Sequence, residues 1–198
     1  MSFTSSYLSD VALIAGRLDP EAIDEVARVL ATVRDSGGRL FFLGVGGGAG
    51  HASHAVNDFR KIAGFEAYTP SDNVSELTAR INDEGWETSY AAWLEGSRLC
   101  SKDAVFVFSV GGGDEERGVS MNVVRAIDVA KDRGAQIVGI VGRAGGYTAK
   151  CANACIVIPT VNEDRVTAHT EGFQAVVWHL LVFHPLIKRH QGKWESLR

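Results

Sequence analysis

The sequence predicts an α/β domain: a three-layer α-β-α sandwich around a central, mostly parallel five-stranded sheet, with additional N-terminal helices. Three observations predict it. Apolar runs at 40–43, 105–108, 137–141 and 156–158 lack the polar alternation of a half-exposed strand, so they read as strands buried on both faces. Stretches of helical length separate them, which implies crossover helices and parallel pairing. Two glycine-rich segments directly follow Leu43 and Ser109, where parallel sheets hold their ligands.

Taken in order, residues 3–16 read as a first helix. Residues 20–36 form an amphipathic helix, with Ile23, Val26, Val29, Leu30 and Val33 on one side and Pro20 in the first turn. Gly37 and Gly38 end it, and 40–43 follows as a strand. A helix is expected at 48–63, a short strand at 65–68, and helical segments at 74–81 and 86–98. After the strand at 105–108 comes a helix over 116–133, stopped by Gly134, then the strand at 137–141. A short helix at 146–152, a last strand at 156–158 and a long helix at 169–184, before Pro185, complete the chain. The whole of 1–198 is expected to be one domain, with 1–36 packing on it or on a neighbouring subunit.

Composition narrows the function classes. A net charge of -4 with no basic run argues against a nucleic-acid binder. No apolar stretch reaches the roughly 18 residues of a membrane span. The first six residues carry neither the charged lead nor the apolar core of a secretion signal. Cys100, Cys151 and Cys155 form no paired framework; Cys151 and Cys155 could share a helix face as a partial metal site, but ordinary packing in a reducing cytoplasm is the expectation.

The segment Gly44 to Gly50 admits three readings. G-x-G-x-x-A from Gly44 to Ala49 matches a dinucleotide fingerprint, yet the acidic residue required further on is not clear, since Glu66 only begins a short strand. A tight turn needing close backbone approach is the second reading, and an anion cradle at a helix N-terminus the preferred third. His54 and Asp58 stand four residues apart and share a helix face with His51, a ligand or acid–base pattern. In the second glycine segment, Gly111 to Gly113 suit a flexible loop over a ligand. Asp114, Glu115 and Glu116 read as acids at a helix N-terminus, with Arg117 and Ser120 within reach of an anion. The last helix carries His169, Glu171, Gln174 and His179 in an apolar run. Glu171 and His179 lie about 12 Å apart along a helix, so they serve one metal only if both lean inward or Glu171 precedes the helix. His179 also reads as a core histidine beside Trp178.

On these residues the sequence resembles the sugar isomerase (SIS) domain family, most of all its phosphoheptose isomerase branch, which converts sedoheptulose 7-phosphate to a heptose 7-phosphate. The resemblance spans residues 35–184. It rests on the strand, glycine turn and H-x-x-x-acid helix at 40–58, on Asp72 with 75–79 and 82–86, on 141–146 running to Pro159, and on the helix with Glu171 and His179. It implies a divalent metal, zinc in that branch, held by His54, Asp58, Glu171 and His179, with Asp58 in place of Glu and Glu171 in place of Gln. It further implies an enediol mechanism with Asp58 as base and His179 as acid, and Asp83 as a polar group at the cleft. Substrate contacts are implied at Gly46, Gly47, Gly48, Ser109, Gly111, Gly112 and Ser120. Gly48 replaces a serine of the branch, Val110 and Gly111 replace hydroxyl residues, and several residues are inserted before Ser120. A homotetramer with sites at subunit interfaces is also implied. The function expected is a metal-dependent aldose–ketose isomerase of a sugar phosphate. The alternatives are a non-catalytic module binding a sugar phosphate or a protein, and an isomerase of an unphosphorylated or nucleotide-linked sugar.

Overall fold

Strands apolar at every position must be covered on both faces, and the structure covers them with two helical layers. The computed structural model describes residues 2–197. Helices α1 (Phe3–Arg17) and α2 (Pro20–Asp35) lead into β1 (Leu40–Gly44), α3 (Gly47–Lys61) and β2 (Ala67–Tyr68). Then come α4 (Val74–Glu84), α5 (Ser89–Gly96), β3 (Ala104–Ser109), α6 (Met121–Asp132) and β4 (Gln136–Val141). The chain closes with α7 (Tyr147–Cys151), β5 (Ala154–Val157) and α8 (Val166–Phe183).

The five strands pair in the order β2-β1-β3-β4-β5, every pair parallel. Alternate residues serve opposite layers. Phe42, Phe106, Phe108 and Ile140 pack with residues of α2, α3 and α8, whereas Phe41, Leu43, Val105 and Val107 pack with Tyr90, Trp93, Val123 and Ile127. β1 and β3 are neighbours although β2 intervenes in sequence, so the winding reverses between them. Gly44 pairs with Phe108 at the carboxyl ends of these two strands, which is where such a sheet opens a crevice.

Local chemistry explains the scaffold. Asp19 caps α2 by accepting from the backbone N–H groups of Glu21 and Ala22, and Pro20 occupies the first helical turn. At the opposite end of the sheet, the buried Asp103 carboxylate accepts from the Arg39 guanidinium at 2.7 Å and from the backbone N–H groups of Arg39 and Cys100. Burial works against its charge, and the bonds from Arg39 and Cys100 outweigh that penalty, holding the carboxyl below its ordinary range. α1 docks on its own chain through Asp10, whose Oδ2 accepts from Arg165 at 2.8 Å and pairs with His169 at 3.3 Å. No helix among the described residues is long and apolar enough to cross a membrane.

Several boundaries differ from expectation. The sheet is wholly parallel, and β2 is only two residues long. The helix expected at 116–133 begins at Met121, because Asp114 and Val119 exchange both backbone hydrogen bonds and Ser120 takes a left-handed conformation. Asp114, Glu115 and Glu116 therefore lie on this small hairpin and not in the first turn of α6. The segment is also pinned: Gly112 O accepts from both the backbone and the hydroxyl of Thr148. The helical stretch at 86–98 shrinks to α5, β5 starts at Ala154, and α8 starts three residues before His169.

Candidate active site

Helices α3 and α8 lie side by side and run in the same direction on one face of the sheet. Gly47 at the start of α3 faces Glu171, and His54 and Asp58 further along face His179. Two polar centres result, about two helical turns apart.

The first centre is a triad. Asp58 Oδ2 lies 3.9 Å from His54 Nε2 and 3.8 Å from His179 Nε2. The donor atoms of the three residues all fall within 4.8 Å of one another, and among the described residues they are the only such group. The carboxylate is 15% exposed while the imidazoles are 58% and 45% exposed, so the triad opens to solvent from a partly buried acid. His179 Nδ1 lies 2.7 Å from the Ala175 carbonyl oxygen. A carbonyl only accepts, so Nδ1 carries the proton and Nε2 keeps the lone pair that faces Asp58. Trp178 supports both rings, stacked on His179 with centroids 3.5 Å apart and edge-on to His54 at 4.8 Å. His51, one turn before His54, is partly buried; that burial pushes its pKa below the ordinary histidine value, with Glu171 opposing the shift.

The second centre is a cavity of about 240 Å³ at the carboxyl ends of β1 and β3, lined by Val45, Gly48, Ser109, Ser120, Glu171 and Gln174 among others. Gly48 is required here, and Gly47 lets the Glu171 carboxylate lie against the turn. A Cβ at Gly47 would collide with the Glu171 carboxylate, and one at Gly48 with the Phe108 carbonyl. The turn consumes its own donors: Gly48 N–H donates to Val45 O, and the N–H groups of Ala49 and Gly50 both donate to Gly46 O. Ser109 Oγ accepts from Gly112 N–H. Gln174 is fully buried; its Nε2 donates to Ile140 O at 3.2 Å, while its Oε1 has no partner. Tyr90 braces the turn from the other layer, its hydroxyl donating to Gly44 O at 2.6 Å, and burial raises its pKa to about 12. Beyond Gly111 and Val119 the cavity adjoins a wider cleft of about 660 Å³ that holds Arg117 and Arg143 alongside Asp114 and Glu116.

The expected residues thus separate. His54, Asp58 and His179 come together; Glu171 does not join them, and its carboxylate sits at the α3 N-terminus instead. Gly48, Ser109, Gly111 and Ser120 line the cavity, with Gly47 beside it. Gly46 and Gly112 serve the turns themselves. Asp83 is exposed on α4, accepting from the Asn82 side chain, outside the cavity lining. Three N–H groups of the cradle expected for an anion, those of Gly48, Ala49 and Gly50, are spent on the turn. Gln174 was visible in sequence as a polar residue one turn from Glu171 in an apolar run, but nothing there assigned its orphaned oxygen. No sequence signal marked Tyr90.

The SIS domain family profile matches residues 6–142. The lincomycin biosynthesis protein LmbN of Streptomyces lincolnensis is 31% identical over 96% of this chain and 69% of its own length. A phosphoheptose isomerase of Solidesulfovibrio magneticus is 32% identical over 89% of this chain and 85% of its own. Among solved structures, a phosphoheptose isomerase from Francisella tularensis superposes with a TM-score of 0.78 at 20% identity, covering 92% of this chain and 97% of that one.

Proposed function

This chain belongs to the SIS domain family, in its phosphoheptose isomerase branch, and from that premise we propose that it is a metal-dependent aldose–ketose isomerase of a sugar phosphate, with sedoheptulose 7-phosphate as the first substrate to test. The observation that carries the reading is the His54–Asp58–His179 triad, solvent-open and held by α3 and α8.

Two imidazoles and one carboxylate with room for further ligands form a donor set that suits catalytic zinc, or ferrous iron. His179 meets the further requirement that a ligating histidine donate its other N–H to a fixed acceptor, here the Ala175 carbonyl. With Glu171 outside the group, His54, Asp58 and His179 would hold the ion. A divalent ion there supplies Lewis acidity toward the oxygens of an enediol.

The proton chemistry falls to the chain's own residues. Conversion of a ketose to an aldose removes a proton from C1, passes through a cis-enediol and returns a proton to C2. Asp58 is the base: one carboxylate oxygen accepts from Asn57 at 2.7 Å, and the other faces the cleft between the imidazoles. His179 is the acid that delivers a proton to the carbonyl oxygen. Because Nδ1 is committed to Ala175, Nε2 delivers a proton only from the imidazolium form, charged from solvent at its exposed edge, and would hold the ion only when deprotonated. Trp178 keeps the ring in place through both.

Self-association, as a homotetramer, is part of this proposal. Val176, Leu180 and Phe183 form an exposed apolar stripe on α8, Phe3, Leu8 and Leu13 are exposed on α1, and α4 buries none of its residues. Residues 1–36 would then complete one domain on their own chain and contribute to the contact between copies. The unpaired cysteines fit a reducing cytoplasm. One observation favours a second reading, an isomerase of a different sugar: no cationic side chain lines the cavity between the glycine loops. An NMR time course with sedoheptulose 7-phosphate, metal-replete and chelated, tests the proposal. Chelator-sensitive appearance of an aldose is expected; no aldose with the metal bound would refute this substrate.

A further inference from the structure

One atom of the triad is given two jobs that exclude each other. With an ion held there, His179 Nε2 is deprotonated and has no proton to give, and Nδ1 is tied to the Ala175 carbonyl. His54 Nε2 faces the same Asp58 carboxylate and is a ligand atom too. Yet moving a carbonyl from C2 to C1 transfers two protons, one between the carbons and one between the oxygens. Asp58 serves the carbons. The oxygens need another group.

His51 stands where that group is needed. At 3.6 residues per turn each residue advances about 100°, so Gly47, His51, His54 and Asp58 lie within about 60° of arc on α3. Gly47 meets the Glu171 carboxylate and Asp58 meets His179, so this stripe is the one turned toward α8. His51 is one turn from Gly47 and one turn from His54, a spacing that puts Cβ atoms about 5–6 Å apart. The charges acting on its ring come from the same neighbours, Glu171 on one side and His54 and His179 on the other. The side chain is partly exposed, so a ligand can reach it. Burial lowers its pKa, the two imidazoles add to that and Glu171 opposes it. At neutral pH the ring is therefore uncharged, with one N–H to give and one lone pair to receive.

We propose that His51 is a further catalytic residue, carrying the proton that moves between the two sugar oxygens while His179 serves as a ligand. The inference rests on the isomerase reading. As Asp58 takes the C1 proton, the His51 N–H gives its proton to the C2 oxygen, and the C2 carbonyl becomes a hydroxyl of the cis-enediol. As Asp58 returns a proton to C2, the His51 ring takes the proton of the C1 hydroxyl, and C1 gains the carbonyl. One C–H bond breaks and one forms, one O–H bond breaks and one forms, and both side chains end as they began. A neutral imidazole is suited to this work, because it polarises a carbonyl without a net charge of its own.

The test compares full-length wild-type protein with His51→Gln, using sedoheptulose 7-phosphate. Glutamine is a good helix former at a partly exposed position and keeps hydrogen-bonding groups, but it cannot trade a proton. With zinc loaded, aldose formation should fall about 10²–10⁴-fold. Deuterium exchange at C1 of the ketose should fall far less, because Asp58 is intact and the enediolate returns to ketose when its oxygens cannot trade a proton. Zinc affinity, read by chelator competition, should be unchanged. A binding readout needs neither turnover nor a variant. In nitrogen-15 imidazole spectra of the metal-free protein, the sugar phosphate should shift the His51 signals, and zinc alone should shift those of His54 and His179 far more than those of His51. Should the variant unfold, these wild-type spectra decide alone. Wild-type aldose formation in His51→Gln, an equal fall in exchange and aldose formation, lost zinc affinity, or His51 signals that ignore the sugar would overturn the proposal and leave the isomerase in place. No aldose from the wild-type protein with zinc bound would refute the isomerase reading, and this inference with it.

Discussion

Asp58→Asn is the most informative single change. It leaves the side-chain shape intact and removes the one negative charge between two imidazoles 3.8 and 3.9 Å away. Three consequences follow at different scales. Loss of the base should lower turnover by about 10²–10⁴, equivalent to about 3–5 kcal/mol of transition-state stabilisation. Loss of a charged ligand should lower zinc affinity by more than the roughly 10–100-fold typical of outer-shell changes. Stability should barely move, within about 0.5 kcal/mol, because the carboxylate's hydrogen-bond partner is the neighbouring Asn57 and nothing in the core depends on it. A chelator-competition titration reads the second quantity, thermal unfolding the third, and single-turnover NMR with saturating zinc the first. Wild-type turnover at saturating zinc would refute the role given to Asp58. A large fall in Tm would show that the residue matters to the fold instead.

Other expectations test separate parts of the molecule. Asp103→Asn leaves Arg39 without its buried partner and should destabilise by about 3–5 kcal/mol, read as a drop in Tm of roughly 6–20 °C. Because the folded-state pKa of Asp103 is depressed, its stabilisation is present above the unfolded value of 3.8 and is lost as pH falls through the folded one. Urea unfolding near that range should therefore show a steeper acid loss in wild type than in the Asn variant. Gly48→Ala pushes a methyl group into the Phe108 carbonyl and should cost about 1–3 kcal/mol, measurable by the same denaturation.

The sheet was legible because β1, β3 and β4 are short runs rich in Val, Ile and Phe, too short for buried helices and set between glycine-rich or polar segments. The start of α6 was not. Glu116 and Arg117 are good helix formers, and what stops the helix there is a hairpin closed by paired backbone bonds between Asp114 and Val119, together with positive φ at Gly118 and Ser120. The closeness of His54 and Asp58 could be read from their spacing alone, since a helix places i and i+4 together. That His179 meets them depends on the parallel packing of α3 and α8, which no local pattern encodes. Glu171 shows the limit most clearly. Residues eight apart on one helix start about 12 Å from each other and converge only if both side chains lean inward, and packing sends the Glu171 carboxylate to the α3 N-terminus instead. The anion cradle was a fair expectation for a glycine-rich helix start, but whether its N–H groups stay free depends on which carbonyls the turn folds back upon them.

The most direct measurement is deuterium exchange. Metal-loaded protein is incubated in D2O with sedoheptulose 7-phosphate and, in parallel, with sedoheptulose, and the ketose and any aldose are followed by NMR with a chelated control. Incorporation of deuterium at the carbon next to the carbonyl, abolished by chelation and by Asp58→Asn, is the result expected of an enediol isomerase built on the triad. Absence of exchange in both sugars, with the metal confirmed in place, would contradict it.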